Sequence, residues 1–224
     1  MILGSNPQYQ IIMKGVIRML DIKTLASGSK GNAYIVSDGE TKILFECGIP
    51  FRKMQELTDF TITDCKACML SHSHKDHSLA LSEVLSNGID IFTSETLKYS
   101  HIGLKQSHRA YGVKDKEQFT VGTFKIVALK MCHDVECFGW LLYSDVTKDK
   151  LLFAIDTYLI PYNISGLNYI MVEANYSLDI LDRNIKNGSV PEEVKYRLLK
   201  SHMQLDVLLE WLKKLIWAEW KRFI

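Results

Sequence analysis

The stretch MLSHSHKDHSLAL, Met69 to Leu81, sets three histidines and an aspartate between two apolar runs. Neither imidazole nor carboxylate enters a core without a partner. The run before the cluster, CKACMLS, has strand length, so it must deliver the cluster to the end of a buried strand. In extended chain, residues two apart point to the same side. His72 and His74 can therefore converge on one point, and a turn after Lys75 aims Asp76 and His77 at a second point nearby. Neutral imidazole suits zinc, iron and manganese, and carboxylate suits harder cations. The competing reading is a solvated polar loop with incidental histidines. It leaves four potential ligands packed at a strand end without a reason.

The rest of the chain supplies the frame such a site needs. From Met19, LDIKTLAS reads as a strand and GSKGN as a tight loop, with AYIVSD and TKILFECG as a hairpin pair around Asp38-Gly39. PFRKMQEL puts Phe51, Met54 and Leu57 on one helical face, and SLALSEVLSNG reads as a helix stopped by Gly88. IDIFTS, QFTVGTFKIVALKM, GWLLYS, KLLFAIDT and NYIMVEAN read as strands. SLDILDRNIKNG, PEEVKYRLLK and LDVLLEWLKKLIWAEW read as helices. The segment from Leu104 to Lys116 reads as a polar loop, with His101 and His108 at the surface or His108-Arg109 beside a phosphate-bearing substrate. No repeat or linker interrupts the pattern. It is an α/β chain rich in strands, with helices covering sheet faces.

Composition excludes several classes. The chain has 224 residues, suited to one domain, and 24% charged residues with 47% hydrophobic rules out disorder. A formal net charge of +1 gives no bulk support for a nucleic-acid partner. The C-terminal stretch Lys195 to Arg222 is locally basic, which a solvated helix face also explains. Cys65-x-x-Cys68 lacks the second ligand pair of a zinc knuckle, so the five cysteines read as buried thiols in a reducing compartment. IIMKGVIRML is interrupted by Lys14 and Arg18 and is far shorter than a membrane span of roughly 20 apolar residues. The expectation is a cytoplasmic protein with no membrane partner. SGSKGN lacks the lysine-and-serine ending of a P-loop; its glycines let the turn approach the metal centre.

The HxHxDH sequence resembles the metallo-β-lactamase fold superfamily. His133 in KMCHDVECFGWLLYS and Asp156 ending LLFAIDT follow in the order that pattern needs. LASGSKGNAYIVSDGETKILFECGI with LSHSHKDH is similar to the phage and bacterial branch of small single-domain hydrolases related to DNA exonucleases. The resemblance implies an αββα sandwich of two mixed β-sheets flanked by helices. It also implies two divalent ions, zinc or manganese. His72, His74 and His133 would bind the first, Asp76 and His77 the second, and Asp156 would bridge them. VEANYS and SHMQLD resemble segments of ribonuclease Z-like enzymes in which a Glu and a later His handle a proton. The matching positions are Glu173 and His202, so the implied catalytic residues are Asp76, Glu173 and His202.

Three departures from the family pattern carry expectations of their own. Glu46 in FECGI stands where most of the superfamily has Asp, and its longer side chain can still reach a ligand imidazole. Residues 1–18 precede the usual start and read as an extension, leaving 19–224 as a single domain. No histidine follows His202, so the last C-terminal strand and its ligand are expected to be missing and the second ion to be held more weakly. The function implied is a metal-dependent phosphodiesterase or nuclease acting on DNA or RNA. Two other readings stay open: a hydrolase of thioesters, lactones or another small ester, and a metal-binding remnant with little activity.

Overall fold

The computed structural model describes residues 19–105 and 107–220, so the expected extension, residues 1–18, lies outside the described residues. Two mixed sheets stack face to face. The first runs in chain order: β1 (Asp21–Ala26), β2 (Ala33–Ser37), β3 (Lys42–Phe45), β4 (Cys65–Met69), β5 (Asp90–Ser94) and β6 (Ala110–Val113). Its β1–β3 portion is antiparallel, and β3 to β6 run parallel. The second contains β7 (Gln118–Val121), β8 (Phe124–Met131), β9 (Cys137–Ser144), β10 (Lys150–Ala154) and β11 (Tyr169–Val172), in the spatial order β11-β10-β9-β8-β7. Only β10 and β11 pair in parallel there. No strand follows β11 among the described residues.

Alternation along each strand builds the layers, because successive side chains leave opposite faces. Ile43 and Phe45 of β3 meet Phe138 and Trp140 of β9 and Leu151 and Phe153 of β10 between the sheets. Leu44, Cys68 and Ile91 point the other way, under α1 (Phe51–Leu57) and, beyond the short α2 (Lys75–Ser78), under α3 (Leu81–Ser86) and α4 (Glu95–Ser100). Leu152 and Ala154 of β10, with Leu129 and Met131 of β8, form the outer face of the second sheet. After α5 (Ile102–Lys105), α6 (Leu178–Lys186) and α7 (Glu192–Ser201), that face is covered by α8 (Leu205–Trp220) through Leu208 and Trp211. The order is helix, sheet, sheet, helix, as expected. Phe45 and Phe153, fully buried with ring centroids 4.6 Å apart, each contribute roughly 1.5–3 kcal/mol by leaving water.

The structure corrects the reading of Leu104 to Lys116 as a loop. Ala110–Val113 forms edge strand β6, parallel to β5, burying only Ala110 and Val113. So few apolar positions give no alternation to read. The helix α4 just before it escaped notice because its signal is a cap: the Ser94 hydroxyl accepts from Leu97 N at 3.0 Å. Arg109 is engaged within the fold and is not among the residues that line the cleft described below. Its Nη1 donates to Asp90 Oδ1 at 2.7 Å and to Gly88 O at 3.0 Å, tying β6 to the turn before β5.

Candidate metal centre

The cluster follows β4, where the chain leaves the sheet between two clamping turns. Asn32 N donates to Asp76 O at 2.8 Å, and Cys47 N donates to His77 O at 2.7 Å. The FECGI turn lies so close that a Cβ on Gly48 would stand 1.7 Å from Asp76 O. Gly31 is tight as well, since a Cβ there would stand 2.4 Å from Gly48 O. Close approach, rather than phosphate binding, is what these glycines provide. Two site carboxylates sit on left-handed backbone, Glu46 at φ 59° and Asp156 at φ 49°. That conformation costs of order 1 kcal/mol or more for a residue with a Cβ and is typical of functional positions held by their surroundings.

Three overlapping groups of donor atoms result, each with its atoms within 4.8 Å of one another: His72, His74, His133 and Asp156; Asp76, His77 and Asp156; and Asp156, Glu173 and His202. Asp156 is common to all. Its Oδ2 lies 2.9 Å from His77 Nε2 and 3.6 Å from His72 Nε2, while Oδ1 lies 3.8 Å from His202 Nδ1. His133, expected to face the cluster across the sheets, does so: its Nε2 is 3.3 Å from His74 Nδ1. His202 is the C-cap of α7, and its Nδ1 lies 3.1 Å from Glu173 Oε2. Glu173 is steadied by Thr157 N at 3.1 Å and Asn175 Nδ2 at 3.3 Å. The eight residues that the resemblance implied as ligands or catalytic groups thus lie in these overlapping groups.

The donor chemistry fits divalent cations. His133 Nδ1 can only donate to the carbonyl of Ser201, 2.8 Å away, so its Nε2 presents a lone pair to the cluster. Burial also holds the His133 imidazole below its usual pKa, hence neutral. His72 Nδ1 lies 2.8 Å from Ser71 Oγ, while its Nε2 is buried with no hydrogen-bond partner. Burial, with His77 and His133 nearby, lowers the His72 pKa to about 2. An orphaned, neutral imidazole nitrogen aimed at two other imidazoles and a carboxylate is what a metal ligand looks like without its ion.

The second group is charged differently. Burial works against protonation of His77, yet hydrogen bonds and charge from Asp156 and Glu46 raise its pKa to about 10. Burial likewise opposes ionisation of Asp156, but the neighbouring His77 holds its carboxyl below the usual range. Glu46 Oε2 lies 3.4 Å from His77 Nδ1 and accepts from Ser71 N, so the longer side chain does reach a cluster imidazole. Burial lifts the Glu173 carboxyl above its usual pKa. Against its own burial, the His202 imidazole is raised above its usual pKa by the hydrogen bond and charge of Glu173.

A cleft of about 640 Å³ opens over these groups, lined also by Ser27, Tyr34, Asn175 and Arg197. Sequence reading missed Asp134, whose Oδ1 is 3.0 Å from His133 Nε2. It also missed Asn32, whose Nδ2 is 3.3 Å from His77 Nε2. Asp134 stood adjacent to His133 as a signal, and Asn32 stood at the end of SGSKGN. Arg197 lies in the locally basic stretch Lys195 to Arg222 but was not singled out there, and the Ser201 carbonyl had no sequence signal.

Residues 26–121 match the metallo-beta-lactamase superfamily. The exodeoxyribonuclease WalJ of Streptococcus pneumoniae serotype 2 is 23% identical over 188 residues, covering 78% of this chain and 68% of that protein. The exodeoxyribonuclease YycJ of Bacillus anthracis is 24% identical over 192 residues, covering 80% of this chain and 70% of that one. Among solved structures, a diphosphatase from the PhnP family superposes with a TM-score of 0.62 at 17% identity, covering 88% of this chain and 84% of its own. That likeness carries the fold. The layered sheets and the donor groups agree with that likeness: residues 26–121 are similar to the metallo-beta-lactamase superfamily, and the fold is that of the solved neighbour.

Proposed function

We propose that this metal-dependent hydrolase cleaves phosphodiester bonds in nucleic acid. The observation that carries the reading is the Glu173–His202 pair, at 3.1 Å, standing against Asp156 on the cleft side of the donor groups. A hydrolysis that expels an alkoxide needs a proton there, and His202, whose protonated form the Glu173 carboxylate favours, is placed to give it. Exodeoxyribonucleases among the relatives support the nucleic-acid substrate.

His72, His74, His133 and Asp156 would hold the first ion, and Asp76, His77 and Asp156 the second. With four donors against three, the second would be held more weakly; zinc or manganese would suit the set. When bound, such ions acidify water and neutralise the oxygens of the reacting phosphate. The chain's own residues do the rest. Asp76, 35% exposed at the cleft, orients the attacking water and accepts its proton. Water oxygen bonds to phosphorus, the bond to the leaving oxygen breaks, and His202 protonates that oxygen. Glu173 holds His202 in register.

No described helix is long and apolar enough to cross a membrane. The cysteines described in the structure are free, and we place the protein in the cytoplasm, where thiols stay reduced. The test is metal analysis joined to cleavage of labelled single- and double-stranded DNA and RNA with zinc or manganese added. Metal-dependent shortening of at least one strand type is expected. Turnover of thioesters or lactones with every oligonucleotide left intact would transfer the site to small esters.

A further inference from the structure

We propose that Arg197 is the phosphate anchor of the cleft, gripping the backbone phosphate next to the scissile one on the leaving-group side. This deepens the nucleic-acid reading above and rests on it. Four carboxylates line the cleft, those of Asp76, Asp134, Asp156 and Glu173, and Arg197 is the one lysine or arginine among the lining residues. The ions would offset Asp76 and Asp156, but Asp134 and Glu173 still repel a polyanion wherever no cation of the chain faces it.

Arg197 is exposed, and among the described residues its guanidinium makes no ion pair or hydrogen bond, its charge being felt by the neighbouring His202. Only its backbone is engaged, its carbonyl accepting from Ser201 Oγ at 2.7 Å. The contrast with Lys195 on the same helix is instructive, since that ammonium is neutralised by Asp182 at 2.6 Å. An arginine that shares a wall with four carboxylates and pairs with none keeps its five donors for something that enters the cleft. The planar fork matches phosphate in two-point geometry.

Position selects which phosphate. Arg197 lies on the last turns of α7, just before its C-cap His202, and both line the cleft. His202 attends the leaving oxygen, so a strand reaching Arg197 continues past that oxygen rather than past the attacking water. A substrate with no phosphate beyond the scissile one cannot use this contact.

The test is binding of a labelled DNA duplex to the full chain, read by fluorescence anisotropy over a series of salt concentrations with calcium as the added ion. Arg197→Ala should raise Kd by about 10- to 100-fold, the worth of a lost charge-assisted hydrogen-bond pair. It should also flatten the plot of log Kd against log salt by about one. Arg197→Lys should restore the slope but only part of the affinity. Lys200→Ala, an exposed charge on α7 outside the cleft lining, should change both less than Arg197→Ala does. An unchanged slope and Kd in Arg197→Ala, while the unsubstituted chain shows steep salt dependence, overturns this inference alone. An equal effect from Lys200→Ala also overturns it, because the helix's bulk charge is then responsible. Salt-independent binding by the unsubstituted chain overturns the nucleic-acid reading and the anchor together.

Discussion

Replacing Gly48 by alanine separates space from backbone conformation at the metal centre. A Cβ at this position would stand 1.7 Å from Asp76 O, 2.3 Å from Asp76 C and 2.8 Å from Asn32 N, all backbone atoms that no rotamer change can move. Relief requires Asp76 to retreat by more than an ångström. That motion breaks the Asn32 N to Asp76 O bond of 2.8 Å and strains the Gly48 N to Asn32 O bond of 2.9 Å. Overpacking costs about 1–3 kcal/mol, and each buried group left unpaired adds about 1–3 kcal/mol. The expected total is about 3–5 kcal/mol, a fall in thermal midpoint of about 6–20 °C for a domain of this size. Gly39 is the control: its φ is +92° and nothing lies within 4 Å of its added Cβ, so Gly39→Ala should cost only left-handed strain of about 1–2 kcal/mol. Thermal unfolding of the chelated variants by circular dichroism measures both. A metal titration then reads the consequence, because Asp76 and His77 move together and the second ion should lose affinity more than the first. Gly48→Ala as stable as Gly39→Ala, or with unaltered metal affinity, would refute the close-approach account.

Other outcomes follow from the charges. In chelated protein, His77 with its pKa near 10 adds stability that is complete below its unfolded value of about 6.5 and fades as pH rises toward 10. His72, held neutral down to about 2, removes stability as pH falls below that same unfolded value. The thermal midpoint of chelated protein should therefore peak near neutrality, and saturating metal should abolish the alkaline limb; a midpoint climbing steadily to pH 10 contradicts the pair. Filling the second group at pH 7 must expel the His77 proton, so calorimetry in buffers of different ionisation enthalpy should register about one proton released per ion there. His202→Ala should lower turnover on the order of 10²–10⁴-fold with first-group metal content unchanged. Collapse of the metal stoichiometry would make His202 a ligand instead.

What the sequence made legible was whatever is encoded locally. The run from Met69 to Leu81 is strand, loop and helix in consecutive residues, so its spacing alone places His72 and His74 on one side. The strands around Ile43, Phe138 and Leu151 show their inward alternation within a few residues, and the layers follow. His133 and Asp156 have no local pattern; order along the chain relative to the family pattern brought them in. Edge strand β6 escaped because an edge packed on a thin apolar face needs few hydrophobic residues. Asp134, Arg197 and the Ser201 carbonyl escaped for a different reason. Their roles depend on how a helix far along the chain lands against the β8–β9 connection, which no window of residues records.

That landing makes α7 more than a cover for the site. Its last carbonyl, on Ser201, fixes the proton on His133 Nδ1 and so frees Nε2 for the first group, while its C-cap is His202. One helix end thereby sets the tautomer of a candidate ligand and the position of the candidate acid. Ser201 is buried and its hydroxyl returns to Arg197 O at 2.7 Å, which tightens the final turn that carries both features. A displacement of this helix cannot disturb the acid without also loosening His133. Substitutions that unwind the last turn of α7 should therefore lower first-group metal affinity and turnover together, whereas His202→Ala lowers turnover alone. The two kinds of variant, compared on metal content, separate a helix that positions the centre from a single side chain that does its proton transfer.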